Sequence, residues 1–197
     1  MTVKNEEDDS EVTVTEDEGI RPGTTAEKLA KLRPSFTESG CTTAGNSSQM
    51  TDGAAVVLVA HRALAQAQGL PVLGVLRAVA VVGVPPDIMG VGPAVAIPEA
   101  VARAGLRLGD VDVFEINEAF ASQCLYCVRE LGIPVEKVNP NGGAIALGHP
   151  LGCTGARQIA TLLHELRRSK KRFGVVSMCI GTGMGAAAVF ENEAAAV

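Results

Sequence analysis

Tryptophan is absent, Tyr126 is the sole tyrosine, and aromatic side chains occupy only 3% of 197 positions. A core built on large stacked rings is therefore excluded. The interior must come from small and branched aliphatics at close backbone spacing, as in packed α/β layers. Long apolar runs are also missing: each is broken by Gly or Pro well short of a bilayer span, which predicts no membrane insertion. Positive charge is in deficit, with a formal net charge of -5, so the chain offers no overall field for nucleic acid. Its one basic cluster, Arg167, Arg168, Lys170, Lys171 and Arg172, falls where a helix should end and fits the negative end of the helix dipole.

Cysteine is scarce and irregularly spaced. Five residues without a secretory signal argue for a reducing compartment and against a disulfide framework. Cys124 and Cys127 form a C-x-x-C pair, but helical spacing puts both on one face with Phe120, Val128 and Leu131. Packing explains them better than zinc or redox chemistry, and no second pair completes a metal site.

What remains is 47% hydrophobic with 22 glycines, enough for a sizeable core in one large domain or one and a half ordinary ones. Residues 1–20 hold Glu6, Glu7, Asp8, Asp9, Glu11, Glu16, Asp17 and Glu18. Such a segment is expected to be disordered, because it has little apolar surface to bury. Residues 21–49 are punctuated by Pro22, Gly23, Pro34, Gly40 and Gly45 and read as an irregular connector. The continuous apolar run 54–60 predicts a strand buried on both faces, and a short helix should follow near 61–68.

Strands are expected over 72–84, 111–116, 175–179 and 186–190, with helices around Ile97, over 117–131 and over 155–168. The predicted fold is α/β, β-α-β-α-β-β over the last two-thirds. Three segments put reactive side chains at strand ends, helix starts or glycine loops. Asn117 lies at a strand-to-helix junction, where capping is the simplest reading; it can also hold a water. His149 sits between Gly148 and Pro150, where another group can approach the backbone closely. Cys179 ends an apolar strand just before Gly181, Gly183 and Gly185, whose freed amides can face an oxyanion. A dinucleotide site is excluded because no helix follows those glycines, and neither a P-loop nor a Gly-x-Ser-x-Gly elbow is present.

Together these segments resemble the thiolases. Residues 117–121 match that family's Asn-Glu-Ala-Phe block, 142–155 its Gly-His-Pro block and 179–185 its final Cys-x-Gly block, in family order. The stretch VGVPPDIMGVGP at 82–93 looks most like the peroxisomal 3-ketoacyl-CoA thiolases. The resemblance implies a layered fold of two similar halves, of which 69–197 is the carboxyl-terminal one. It makes 50–68 the last strand and helix of the amino-terminal half, and 21–49 a remnant of the loop domain that binds coenzyme A. It implies thiolytic cleavage of 3-ketoacyl-CoA in fatty-acid β-oxidation, with His149, Asn117, Cys179 and the Gly181 amide catalytic and Glu118 tuning them. Ser48 and Ala44 would line the pantetheine arm, and Met89 the acyl pocket.

Acyl-CoA and CoA are the implied partners, homo-oligomers the implied assembly and the peroxisome the implied location, although no targeting peptide is visible. No cofactor is implied, because coenzyme A is itself a substrate. Cys41, Cys124, Cys127 and Cys153 match no catalytic position, so the attacking cysteine of the family is expected on the half not represented here. The chain alone should then be inactive, and the unpartnered 54–60 run predicts poor solubility or oligomerisation. A non-catalytic module that keeps a CoA-binding or subunit-binding surface is the alternative.

Overall fold

The computed structural model describes residues 2–5, 7–15 and 19–196; Glu6, Glu16, Asp17 and Glu18 of the acidic segment and Val197 lie outside them. Its centre is a four-stranded mixed sheet in the order β3-β6-β5-β4. The strands are β3 (Val75–Gly83), β4 (Val113–Ile116), β5 (Phe173–Ile180) and β6 (Met184–Glu191). β6 runs antiparallel to both β3 and β5, whereas β5 and β4 are parallel. The chain therefore crosses the sheet twice. α3 (Gly92–Arg103) carries it from β3 to β4, and α4 (Ala121–Glu130), the single turn α5 (Ala144–Leu147) and α6 (Thr154–Arg168) return it to β5.

Two apolar clusters sandwich the sheet. On one face, Ala96, Ile97, Ala100 and Val101 of α3 and Cys124 and Val128 of α4 meet Phe114, Ile116, Val175 and Val189. On the other, Leu162, Leu163 and Leu166 of α6 meet Val113, Val176 and Phe190. Each fully buried Leu, Ile or Phe contributes ~2 kcal/mol from its removal from water. Strand β4 shows how the layers are set. Val113 faces α6, Phe114 and Ile116 face α3 and α4, and the period of two sends Glu115 and Asn117 to the α6 side with Val113.

α3 lies unusually close to the sheet, and glycine permits it. A Cβ on Gly185 would stand 2.2 Å from the Gly92 carbonyl oxygen, and one on Gly92 would stand 2.7 Å from the Gly185 Cα. Both contacts are backbone to backbone, so no side chain can yield.

Three sequence expectations need correction. Residues 54–60 form no strand, because a lone extended segment has no neighbour to receive its backbone hydrogen bonds. Residues 56–60 line a cleft of about 480 Å³ together with Leu73, Ile159, Leu163 and Phe190, and Val56 is 91% and Val59 83% exposed. The acidic start contains a strand pair. β1 (Thr2–Lys4) pairs antiparallel with β2 (Glu11–Thr13), and the turn between them is closed by Asn5 and Asp8 side chains that accept nearby backbone N–H groups. The helix expected from 117 begins only at Ala121, since Asn117 still donates its backbone N–H to the Ser177 carbonyl and Phe120 bridges to Ser47.

The connector before the sheet is mostly irregular, as expected, with one turn of helix, α1 (Ala26–Leu29), capped by Thr25. α2 (Arg62–Ala67) is the short helix after the apolar run, tied to the chain end by the Arg62–Glu193 ion pair. No helix among the described residues is long and apolar enough to cross a membrane.

Gly185→Ala should destabilise the chain by about 2 kcal/mol or more, as overpacking against rigid backbone does. Urea unfolding would read this as a lower midpoint at unchanged slope.

Candidate active site

The site forms where the parallel strands β4 and β5 end. Asn117 is 1% exposed, and its Nδ2 lies 3.2 Å from His149 Nε2. On the far side of the ring, His149 Nδ1 lies 2.6 Å from the Thr154 hydroxyl, which donates to the Pro150 carbonyl at 3.1 Å. Proton positions follow from this chain. With its hydrogen committed to Pro150, Thr154 accepts from Nδ1–H, and the Nε2 lone pair accepts from the Asn117 amide. The imidazole is held neutral with one orientation. Burial, and then the nearby Arg157 charge, lower its pKa below the ordinary histidine value.

His149 reaches this position through a loop that only glycine can shape. Gly148 has φ +90°, and a Cβ there would stand 2.4 Å from the Thr51 methyl group. The segment before Thr51 closes over the same point. Ser48 donates its backbone N–H to the Ala119 carbonyl at 2.9 Å, and Gln49 accepts that of His149 at 3.1 Å. The expected pantetheine residue Ser48 is thus one backbone bond from the Asn117 segment. Ala44 sits four residues earlier in a single 3-10 turn capped by Thr43 and is exposed.

Glu118 makes structural bonds. Its carboxylate accepts from Asn139 Nδ2 at 3.2 Å and from the Ile145 N–H at 3.4 Å. It fills the space over Gly143, where a Cβ would stand 2.1 Å from its carboxyl carbon. Asn139 was not singled out in the sequence. Its amide both accepts from the Ile116 N–H and donates to the Ile116 carbonyl, each at 2.8 Å, so it acts as a substitute strand along the outer edge of β4. Thr154 was also missed; its only mark in the sequence is a hydroxyl five residues after the histidine at a helix start.

Cys179 is on the neighbouring strand. Ile116 pairs with Ser177, so Asn117 falls beside Met178 and Cys179 lies one residue, or ~3 Å, further along β5. No hydrogen bond joins it to His149 or Asn117 among the described residues. It is half-buried, and burial pushes its pKa above the ordinary thiol value. Gly181 is exposed in the β5–β6 turn, with open space around it. That turn rests on the segment leading to Met89, since Gly183 accepts the Val84 N–H at 2.9 Å. Met89 is half-buried in the 3-10 turn Pro86–Val91. The next residue, Gly90, packs on Gln123, whose Nε2 donates to the Asn117 carbonyl at 3.3 Å.

Cys124 and Cys127 are buried and unbonded to each other, and burial pushes their thiols up to about 12 and about 11. No group of three His, Cys, Asp or Glu residues among those described could hold a metal.

Comparison with known families decides what this arrangement belongs to. The family "Thiolase, C-terminal domain" matches residues 70–192, and "Thiolase, N-terminal domain" matches residues 1–63. The chain belongs to the thiolase family. Peroxisomal 3-ketoacyl-CoA thiolase B of Rattus norvegicus is 72% identical over 181 residues, covering 91% of this chain and 43% of the rat protein. The crystal structure of the dimeric peroxisomal thiolase of Saccharomyces cerevisiae superposes with a TM-score of 0.87 at 58% identity, covering 98% of this chain and 48% of that one. A structure of human mitochondrial 3-ketoacyl-CoA thiolase in complex with CoA gives 0.84 at 43% identity, covering 89% and 45%. The chain therefore spans less than half the length of the thiolases it matches, and its α/β layering is the thiolase fold.

Thr154→Val keeps the shape of the side chain and removes the acceptor of Nδ1–H. It should move His149 toward the Nε2–H tautomer, visible in imidazole nitrogen chemical shifts, and lower stability by about 1 kcal/mol. A second expectation concerns pH. Glu115, beneath the site, has its carboxyl pushed up to about 7 by burial, against the pull of Arg157. Folding then takes up a proton between the ordinary value of 4.5 and about 7. Stability should fall as pH rises through that window and level off above it. Glu115→Gln should flatten the slope in thermal unfolding measured across that range.

Proposed function

We propose that this chain supplies the His149, Asn117 and Cys179 side of a 3-ketoacyl-CoA thiolase, an acetyl-CoA C-acyltransferase of fatty-acid β-oxidation. The observation that carries this reading is the Thr154–His149–Asn117 chain. It presents a neutral imidazole where β4 and β5 end, and β5 carries near that end a thiol that burial keeps protonated. The reaction needs two sulfurs, and the attacking cysteine comes from a complementary half. The Asn117 amide gives up the Nε2 lone pair as the thiol approaches, His149 takes the proton from that cysteine at Nε2, and the thiolate adds to the 3-keto carbon. The bond between C2 and C3 then breaks. Its electron pair leaves as the enolate of acetyl-CoA, and the Cys179 S–H gives that carbon a proton, which suits a thiol with a raised pKa. The acyl group remains on the first sulfur until a CoA thiol, deprotonated by the Cys179 thiolate, displaces it and releases a shortened acyl-CoA.

His149 and a water held by Asn117 donate to the thioester oxygen of the enolate, and the Gly181 amide faces the oxyanion of the acyl-enzyme. Residues 21–49 act as a loop-domain remnant, with Ser48 and Ala44 along the pantetheine arm, and Met89 borders the acyl chain. The bonds from Ser48 and Gln49 to the catalytic loops support that placement. Residues 69–197 form the carboxyl-terminal unit. Coenzyme A is a substrate and no further cofactor takes part. The named relatives support a peroxisomal location, and the dimeric yeast thiolase supports a homo-oligomeric assembly.

The test mixes the purified chain with a separately expressed amino-terminal half of a peroxisomal thiolase and measures CoA-dependent cleavage of a 3-ketoacyl-CoA. The chain alone should be inactive and the mixture active. In the mixture, His149→Ala and Cys179→Ser should each lower kcat by about 10³-fold. Activity of the chain alone would show that the nucleophile lies within it. An assembled but inactive mixture would leave only CoA binding, read by calorimetry, as the function.

A further inference from the structure

Beneath the imidazole lies an ion pair to which the reaction above assigns no part. Glu115 is fully buried in a strand otherwise filled by Val113, Phe114 and Ile116. A carboxylate in such a place carries a desolvation penalty of several kcal/mol unless it is paired, and a valine would fit the strand without it. Its partner is Arg157, whose Nη1 lies 3.2 Å from Oε2. Arg157 is three residues beyond Thr154 on α6, and Glu115 is two residues before Asn117 on β4. The helix is thus joined to the strand at two heights, above by Thr154–His149–Asn117 and below by Arg157–Glu115.

Gln158 reinforces the lower junction. Fully buried, it donates from Nε2 to the carbonyls of Glu115 at 3.0 Å and Ser177 at 3.4 Å, spanning β4 and β5. Three buried acceptors here have no hydrogen-bond partner among the described residues: Glu115 Oε1, Gln158 Oε1 and Asn117 Oδ1. Polar groups retained at that cost, one turn beneath the imidazole, are more than an apolar core requires.

We propose that Glu115 and Arg157 form a positioning pair for His149: Glu115 anchors the guanidinium so that its fixed positive charge and the start of α6 together keep the imidazole a proton acceptor. Other charges in reach are already engaged. Glu118 is held by Asn139 and the Ile145 N–H, and Glu165 by Asn141 and Arg168. Both act on Glu115 electrostatically, whereas Arg157 is the charge that acts on His149. The inference rests on reading His149 as the base, yet its main test does not require turnover.

The 197-residue chain has three histidines, and His61 and His164 are exposed, so they serve as references in an NMR titration. Arg157→Met should move the His149 midpoint upward and leave His61 and His164 in place. Arg157→Lys, which keeps the charge, should hold the midpoint near that of the unaltered chain even if it unfolds at lower temperature. Arg157→Gln serves as a second neutral variant should the methionine fail to fold. An unmoved His149 midpoint in a folded neutral variant would overturn the proposal and leave the pair a purely structural contact.

In the complemented assay, Arg157→Met should lower kcat about tenfold, shift the acidic limb of the pH profile upward and leave KM unchanged. If the complemented unaltered protein shows no thiolysis, the functional reading fails, and the titration still decides the role of the pair.

Discussion

Strand β4 has no solvent on either face, and this constraint governs the rest of the molecule. Four residues, each 0–1% exposed, must satisfy two different neighbours at once. Phe114 and Ile116 fill the cluster under α3 and α4, while Val113 and Glu115 meet α6. A strand this short cannot hold itself in place. β5 pairs with it along one edge, and the Asn139 amide with the Val138 bridge closes the other. With β4 fixed on four sides, Asn117 can stand at its end with little freedom, and His149 needs only one loop to meet it.

Such fixation matters because general base chemistry depends on geometry before pKa. The imidazole is gripped at both nitrogens, from the strand by Asn117 and from the helix start by Thr154. Relative motion of β4 and α6 would break one grip or the other. The leucines of α6 prevent that motion cheaply, and the Glu115–Arg157 pair does so at a desolvation cost, which is why the pair invites a role beyond packing.

Much of this was legible in the sequence. The sheet strands could be located from Val-rich runs bounded by Gly and Pro, and α6 from the spacing of Ile159, Leu163 and Leu166. Two glycine-flanked segments and one strand-to-helix junction singled out His149, Cys179 and Asn117 as candidates. Most of what failed did so for nonlocal reasons. Residues 54–60 have the composition of a buried strand, but composition cannot supply a neighbouring strand, and here they stay unpaired. Asn117 has the profile of a helix cap, yet its backbone continues the ladder to Ser177 and its side chain turns to a histidine 32 residues away. The acidic start lacks apolar surface, but its Asn and Asp side chains close a turn locally. Asn139 and Arg157 act through partners distant in sequence, which no periodicity reveals.

The alternation along β4 also limits how this region can change over evolutionary time. Inserting or deleting one residue between Val113 and Asn117 would rotate everything after it to the opposite face, sending the carboxamide toward α3 and a bulky aliphatic toward the imidazole. Two-residue changes would preserve facing but move the carboxamide one full repeat away from Met178. Length variation is therefore shut out of this stretch and diverted to the connections on either side, such as the turn after Arg103 or the one before Asn139, where nothing alternates.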